Sequence, residues 1–219
     1  MELIPVFQGI VEVTSAQVIG YEAMIRGRIG RTRVGPGDLF AEARRTDSVV
    51  QLDNQARAAS LGSYVHRELL FLNVEVPTLD MKALTFPPHV DLSRVVLEVT
   101  EAVQFQHPIE EVATYLEPFR REGMQVAIDD YGRAWSNLPR IEVLHPEYLK
   151  LDRRICANVA ERPSVVAGMV SFCERAGIHL IAEGIETAKQ AQVISDLGVR
   201  LAQGYYYDVP HALQRAAVT

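Results

Sequence analysis

The sequence predicts an α/β protein, a TIM-like (β/α)8 barrel, and three observations carry that expectation. Helical stretches that end in glycine are followed at once by short strands. Those strands are continuously apolar rather than alternating, as parallel strands buried on both faces are. The 219 residues fall within the range of an α/β barrel built as one unit. No linker, low-complexity tract or second composition regime interrupts the chain, so residues 1–219 are expected to form a single domain.

LIPVFQGIVEV and AQVIGYEAMI are strand-like and are separated by a turn-like Thr-Ser, which predicts a hairpin. RGRIGRTRVGPGD, rich in Gly and Arg, is expected to be a loop. A long helical region follows, from about Leu39 to Arg67. LLFLNVEV and VVLEVTE are the next strands, with Pro77, Pro87 and Pro88 marking an irregular stretch between them. The helix–strand unit then repeats. PIEEVATYLEPFRREG leads to MQVAID, PSVVAGMVSFCERAG to IHLIAE, and TAKQAQVISDLG to VRLAQG. Gly123, Gly177 and Gly198 stand where a helix C-terminus needs a residue tolerant of positive φ. Pro108 and Pro163 stand near helix starts, where a missing N–H costs little, while Pro118 is expected to kink its helix. Alternation of this kind implies right-handed crossovers and a parallel sheet.

Bulk properties narrow the function. Apolar residues make up 48%, enough for a large core. Cys156 and Cys173 form no CxxC or Cys/His ligand pattern and are expected to be free thiols in a reducing cytosol. The N-terminus carries no signal-peptide n-region and no apolar run approaches a membrane span, which predicts a cytoplasmic protein without a membrane partner. Net charge is −6 and the basic residues show no broad clustering beyond Arg26, Arg28, Arg31 and Arg33, which argues against a DNA-binding surface.

Polar residues fall at the strand ends. Glu22, Asn73, Glu98, Asp129 with Asp130, Lys150, Glu183 and Gln203 each close an apolar run. In a parallel barrel those ends share one mouth, where such barrels carry their active sites. Carboxylates crowded there repel one another, and divalent cations resolve the conflict. An all-oxygen ligand set suits Mg²⁺, Mn²⁺ or Ca²⁺ better than zinc. The adjacent Asp129 and Asp130 offer a bridge between two ions, and a two-metal site both attracts phosphate and activates water. Spacing alone reaches an oxygen-ligated metal site suited to phosphoryl chemistry and leaves the substrate open.

At these same residues the sequence resembles the EAL domain family of cyclic di-GMP phosphodiesterases. YEAMIR, with Met24 where Leu is usual, resembles the family's naming signature. LNVE, LEVTE, AIDDYG, LKLD, AEGIET and QGYYY resemble its later motifs, in order. The resemblance implies one metal held by Glu22, Asn73, Glu98 and Asp129, and a second held by Asp129, Asp130 and Glu183. It implies that Lys150 positions or polarises the attacking water and that Glu183 accepts its proton. Arg26 is implied to hold a substrate phosphate, Gln203 to organise the site, and Glu186 and Asp152 to support the ligand. Gln8 matches an early Gln-Pro-Ile motif in which Gly9 here replaces the Pro, and Glu101 resembles the anchor of the loop after Asp130. The implied reaction is one hydrolytic cut of cyclic di-GMP to linear pGpG. Mg²⁺ or Mn²⁺ is the implied cofactor, with Ca²⁺ inhibitory, and the implied assembly is a homodimer. The loop after Asp130 departs from the family pattern, reading Tyr131, Gly132, Arg133, Ala134, Trp135, Ser136, Asn137.

Each of these residues also has a plainer reading. Asn73 caps a turn, Lys150 snorkels to solvent, Glu186 is a helix N-terminal acid and Arg26 is a solvated charge. For the whole chain the rival to an enzyme is a module that binds cyclic di-GMP without cleaving it, which the altered loop motivates. A scaffold for protein contacts alone is the third possibility.

Overall fold

The computed structural model describes residues 1–100, 105–133 and 138–213. Glu101 and residues Ala134 to Asn137, among them Trp135, lie outside the described residues.

Two long strands open the chain, β1 (Glu2–Glu12) and β2 (Val18–Ile29), paired antiparallel from Glu2↔Arg28 to Val11↔Val18. The hairpin therefore forms as expected. The remaining strands are β3 (Thr32–Val34), β4 (Leu69–Val74), β5 (Val95–Thr100), β6 (Gln125–Tyr131), β7 (Tyr148–Leu151), β8 (His179–Ala182) and β9 (Leu201–Ala202). From β2 through β4, β5, β6, β7 and β8 to β9 every pairing is parallel. The antiparallel β1 pairs with both β2 and β9 and closes an eight-strand ring, with β3 attached outside it. The barrel expected from the sequence is thus present, with one reversed strand.

The helices are α1 (Pro36–Arg45), α2 (Val49–Ser63), α3 (Val76–Asp80), α4 (Ile109–Arg121), α5 (Leu138–Leu144), α6 (Arg153–Ala157), α7 (Pro163–Ala176) and α8 (Ala188–Asp196). The three glycines read as helix stops have φ of 98°, 71° and 84° at Gly123, Gly177 and Gly198. Pro118 lies inside α4, which continues through it to Arg121.

Three expectations are corrected. The region from Leu39 to Arg67 is two helices. After Thr46, Asp47 takes φ 52° and the Ser48 amide donates to the Ala43 carbonyl, the bond that closes a Schellman stop. The stretch from Arg26 to Asp38 is not a loop. It contains the end of β2, a two-residue turn with Gly30 at φ 60°, and β3 in register Ile29↔Thr32. Strand β2 does not end at Glu22. Its pairing with β4 stops at Ala23↔Leu72, but the strand runs on because β1 on one side and β3 on the other still supply backbone partners.

Apolar residues fill the barrel in a layer made of Ile10, Phe71, Val96, Ala127, Tyr148 and Ile181, with Leu201 packed against it. At Gly20 a Cβ would lie 2.9 Å from the Leu69 carbonyl oxygen and 2.9 Å from the Phe71 ring, so hydrogen is the only side chain that fits beneath that ring. Larger clusters pack the outside of the ring against the helices.

Candidate active site

Side chains along a strand share a face at every second residue. Two residues beyond the apolar layer, in the direction of the parallel strands' C-terminal ends, each ring strand presents a polar side chain. Phe71 is followed by Asn73, Val96 by Glu98, Ala127 by Asp129, Tyr148 by Lys150, Ile181 by Glu183, Leu201 by Gln203 and Gly20 by Glu22. On the reversed β1 the same step runs from Ile10 back to Gln8, which sits opposite Glu22. Eight strands therefore give one polar layer, stacked on the apolar one.

Lys150 holds the centre. Its Nζ lies 2.9 Å from Glu22 Oε2, 2.6 Å from Glu98 Oε1, 2.9 Å from Glu183 Oε1 and 3.4 Å from Asp129 Oδ1. The lysine and Glu98 are fully buried. Gln203 Nε2 donates to Glu22 Oε2 at 2.7 Å and to Gln8 Oε1 at 3.0 Å, and Asn73 Nδ2 donates to Glu22 Oε1 at 3.2 Å. Gln8 Nε2 in turn donates to the Asp208 carbonyl at 2.8 Å, and the Gly9 amide to Asp208 Oδ2 at 2.7 Å. A proline at position 9 would have no N–H for that bond.

Burial works against every charge in this layer, and the neighbours decide the outcome. At Lys150 the four carboxylates overcome burial and raise the ammonium well above its ordinary pKa. Burial opposes ionisation of Glu22, but Lys150, Gln203 and Asn73 outweigh it and bring its pKa down. Glu98 goes well up, through burial first and then repulsion by Glu22, despite its 2.6 Å approach to Lys150. Burial also raises Asp129 and lifts Glu183 to about 8.

Asp130 is set apart from Asp129 by a register shift between Ile128 and Tyr131, and it takes φ 58°. A bulge of this kind re-aims a side chain. The Asp130 carboxylate meets Arg133 Nη1 at 2.7 Å instead of Lys150. Arg26 does not reach the cluster either. Its Nη1 donates to the Ile25 carbonyl, and it lines a cavity of about 430 Å³ together with Glu22 and Asn73. Asp152 caps α6, accepting from the Arg154 amide at 2.8 Å and pairing with the Arg154 guanidinium at 2.8 Å. Burial opposes its ionisation, but Arg154 prevails and its pKa is lowered. Glu186 is exposed, and its backbone amide donates to Gln190 Oε1 beside the capping box that starts α8. Sequence reasoning missed Asp208 and the pair Asp53–Arg57. That pair carries no strand-end signal and reads as an ordinary i,i+4 couple on α2.

Among the described residues no three acidic, His or Cys side chains form a ready-made metal cage, because the Lys150 ammonium sits among the carboxylates. The donor set nevertheless suits a hard cation, being all oxygen. Glu98 Oε2 is buried without a hydrogen-bond partner, an acceptor that a hard cation would satisfy.

The sequence profile of the EAL domain matches residues 1–210. The chain belongs to the EAL domain family. Among curated relatives, the uncharacterized EAL-domain containing protein YkuI of Bacillus subtilis is 27% identical over 95% of this chain and 55% of its own length. A cyclic di-GMP phosphodiesterase of Pseudomonas aeruginosa is 27% identical over 94% of this chain and 38% of its own length. The chain thus spans about half or less of these relatives. The solved structure of Klebsiella pneumoniae BlrP1 with manganese and cyclic di-GMP superposes with a TM-score of 0.82 at 25% identity, covering 96% of this chain and 56% of that one. Structures of family members with bound manganese or calcium support divalent-metal dependence in the family.

Proposed function

We propose that this chain hydrolyses cyclic di-GMP to linear pGpG with the help of divalent cations. The observation that carries the proposal is the polar layer, one buried and three half-buried carboxylates converging on one centre at the mouth of an EAL barrel. Glu22, Asn73, Glu98 and Asp129 are the residues to hold one cation, and Asp129, Asp130 and Glu183 a second. Bound Mg²⁺ or Mn²⁺ supplies Lewis-acid stabilisation of phosphate oxygens and lowers the pKa of water, whereas Ca²⁺ is expected to inhibit.

The chain's own groups do the rest. Glu183, 2.9 Å from the Lys150 ammonium, is the candidate acceptor of the attacking water's proton. The Lys150 ammonium, charged at any physiological pH, polarises that water and offsets negative charge gained by the phosphate. Gln203, hydrogen-bonded to both Gln8 and Glu22, fixes the Glu22 carboxylate. Arg26, in the wall of the adjoining cavity, holds a substrate phosphate. Asp152 and Glu186 support the rim. The reading includes a cytoplasmic homodimer, and no described helix is long and apolar enough to cross a membrane.

The test is incubation of the purified protein with cyclic di-GMP and each cation, resolved by chromatography. The proposal expects pGpG with Mg²⁺ or Mn²⁺ and none with Ca²⁺ or chelator. Glu22→Ala should lower turnover by more than about a hundredfold, beyond the usual effect of removing a partner of a metal ligand. A near-normal rate in that variant would refute the assignment. The second reading, binding without cleavage, draws on the Asp130–Arg133 ion pair, which engages a proposed ligand. Nucleotide recovered uncut at high protein and long times favours it.

A further inference from the structure

Strand β4 loses its neighbour where the site begins. Its parallel pairing with β2 ends at Ala23↔Leu72, because β2 turns away toward β3, while the pairing with β5 continues through Asn73↔Glu98. The Asn73 carbonyl is left facing α2 rather than a strand. Arg57 Nη1 donates to it at 3.1 Å. The same guanidinium is fixed from two sides, by Asp53 Oδ2 at 2.8 Å and by Asn54 Oδ1 at 2.6 Å. Asn54 is itself tied to Ala83 and Thr85. The Arg57 and Asp53 side chains are 1% and 4% exposed. A buried arginine–carboxylate pair is an expensive device and is weak as a source of stability. The helix surface beside a barrel would take apolar residues at lower cost.

We infer that Arg57, held by Asp53, is a positioning residue for Asn73. The guanidinium replaces the missing strand, pins the Asn73 backbone, and so aims the Asn73 amide at Glu22 and at the cation the two are proposed to share. The inference rests on the proposed metal role of Asn73 and extends it to a buried pair of side chains behind that residue, in the wall of the same cavity. Arg57 serves its three acceptors from two nitrogens held in one rigid plane, Nη1 and Nη2, a spread that the single ammonium of Lys does not reproduce.

The experiment is a double-mutant cycle read by Mn²⁺ titration calorimetry on the full chain, without nucleotide. Arg57→Lys keeps charge and most of the buried volume, and Arg57→Met keeps the volume alone. Each should weaken Mn²⁺ binding about tenfold or more, the effect expected when a partner of a metal ligand is lost. Asn73→Ala should weaken it comparably, and combining Asn73→Ala with Arg57→Lys should add little, since both remove one interaction. If the two losses multiply, or if Arg57→Lys binds Mn²⁺ normally, Arg57 only stabilises the fold and the inference is wrong. If Asn73→Ala alone leaves Mn²⁺ binding unchanged, the ligand assignment itself fails and takes the inference with it. Should Arg57→Met fail to fold, Arg57→Lys still decides between these outcomes.

Discussion

Replacing Lys150 by Met removes the positive charge at the centre of four carboxylates while keeping the length and volume of the side chain. At an effective dielectric of about 20, one unit pair at about 3 Å is worth roughly 5 kcal/mol, most of it spent against desolvation. Breaking a buried pair by removing one partner costs about 3–5 kcal/mol net. For a chain of this size each kcal/mol moves Tm by about 2–4 °C, so the variant should melt roughly 6–20 °C below the wild type in chelator. Excess Mn²⁺ should narrow that gap, by about 2.7 kcal/mol at a hundred times its Kd, because no ammonium has to give way. The deficit should also grow with pH. Glu183, raised from 4.5 to about 8 even with Lys150 present, is protonated in the fold at the low end of that window. A raised carboxylate pKa contributes stability below the unfolded value that is lost as pH rises through the folded one. Thermal melts at pH 5 and pH 8 in chelator and in Mn²⁺ measure all three effects. Equal melting of the two proteins in chelator, or an identical Mn²⁺-induced rise in both, would show that the ammonium is not the counter-charge described above.

Gly20→Ala should destabilise by about 1–3 kcal/mol, since its Cβ meets backbone and ring at 2.9 Å, and urea unfolding reads the loss. Gly9→Pro, which restores the family's usual residue, removes the amide donated to Asp208. It should cost about 1–3 kcal/mol through the carboxylate left behind, and an unchanged urea midpoint would contradict that. Burial pushes the Cys156 thiol up to about 12 and Cys173 to about 11, so both should resist alkylation at pH 8 until the protein unfolds. Their raised values also mean that stability present below the ordinary thiol pKa of 9.0 is lost as pH climbs toward 11 and 12.

Most of the polar layer was legible because Glu22, Asn73, Glu98, Asp129, Lys150, Glu183 and Gln203 each close a run of apolar residues, whereas Gln8 was legible only through its resemblance to a family motif. Glu22 misled for the same reason. The apolar run stops there, yet the strand continues, because its next partner is the short β3 whose Thr-Arg-Val carries no strand-like pattern of its own. The separation of Asp129 from Asp130 was illegible, since it depends on a shift of register between β6 and β7. Nothing in the sequence singles out Asp53 and Arg57, four residues apart in a helical stretch. Only the packing of α2 across β1, β2 and β4 buries them and turns their chemistry toward a strand end.

Ring closure has a consequence for when function appears during folding. The seam between the first and last strands of the ring is held by two residue pairs, Val11↔Ala202 and Glu12↔Leu201, and β9 meets β8 over two more. Glu22, on β2, takes one hydrogen bond from its neighbour β4 through Asn73 and another, across β1 and the seam, from just past β9 through Gln203. No partial barrel can therefore assemble the carboxylate cluster with its full complement of donors. The full donor set of Glu22 exists only where the chain's two ends are zipped together, and that short zipper is where the amides should trade their hydrogens with solvent first.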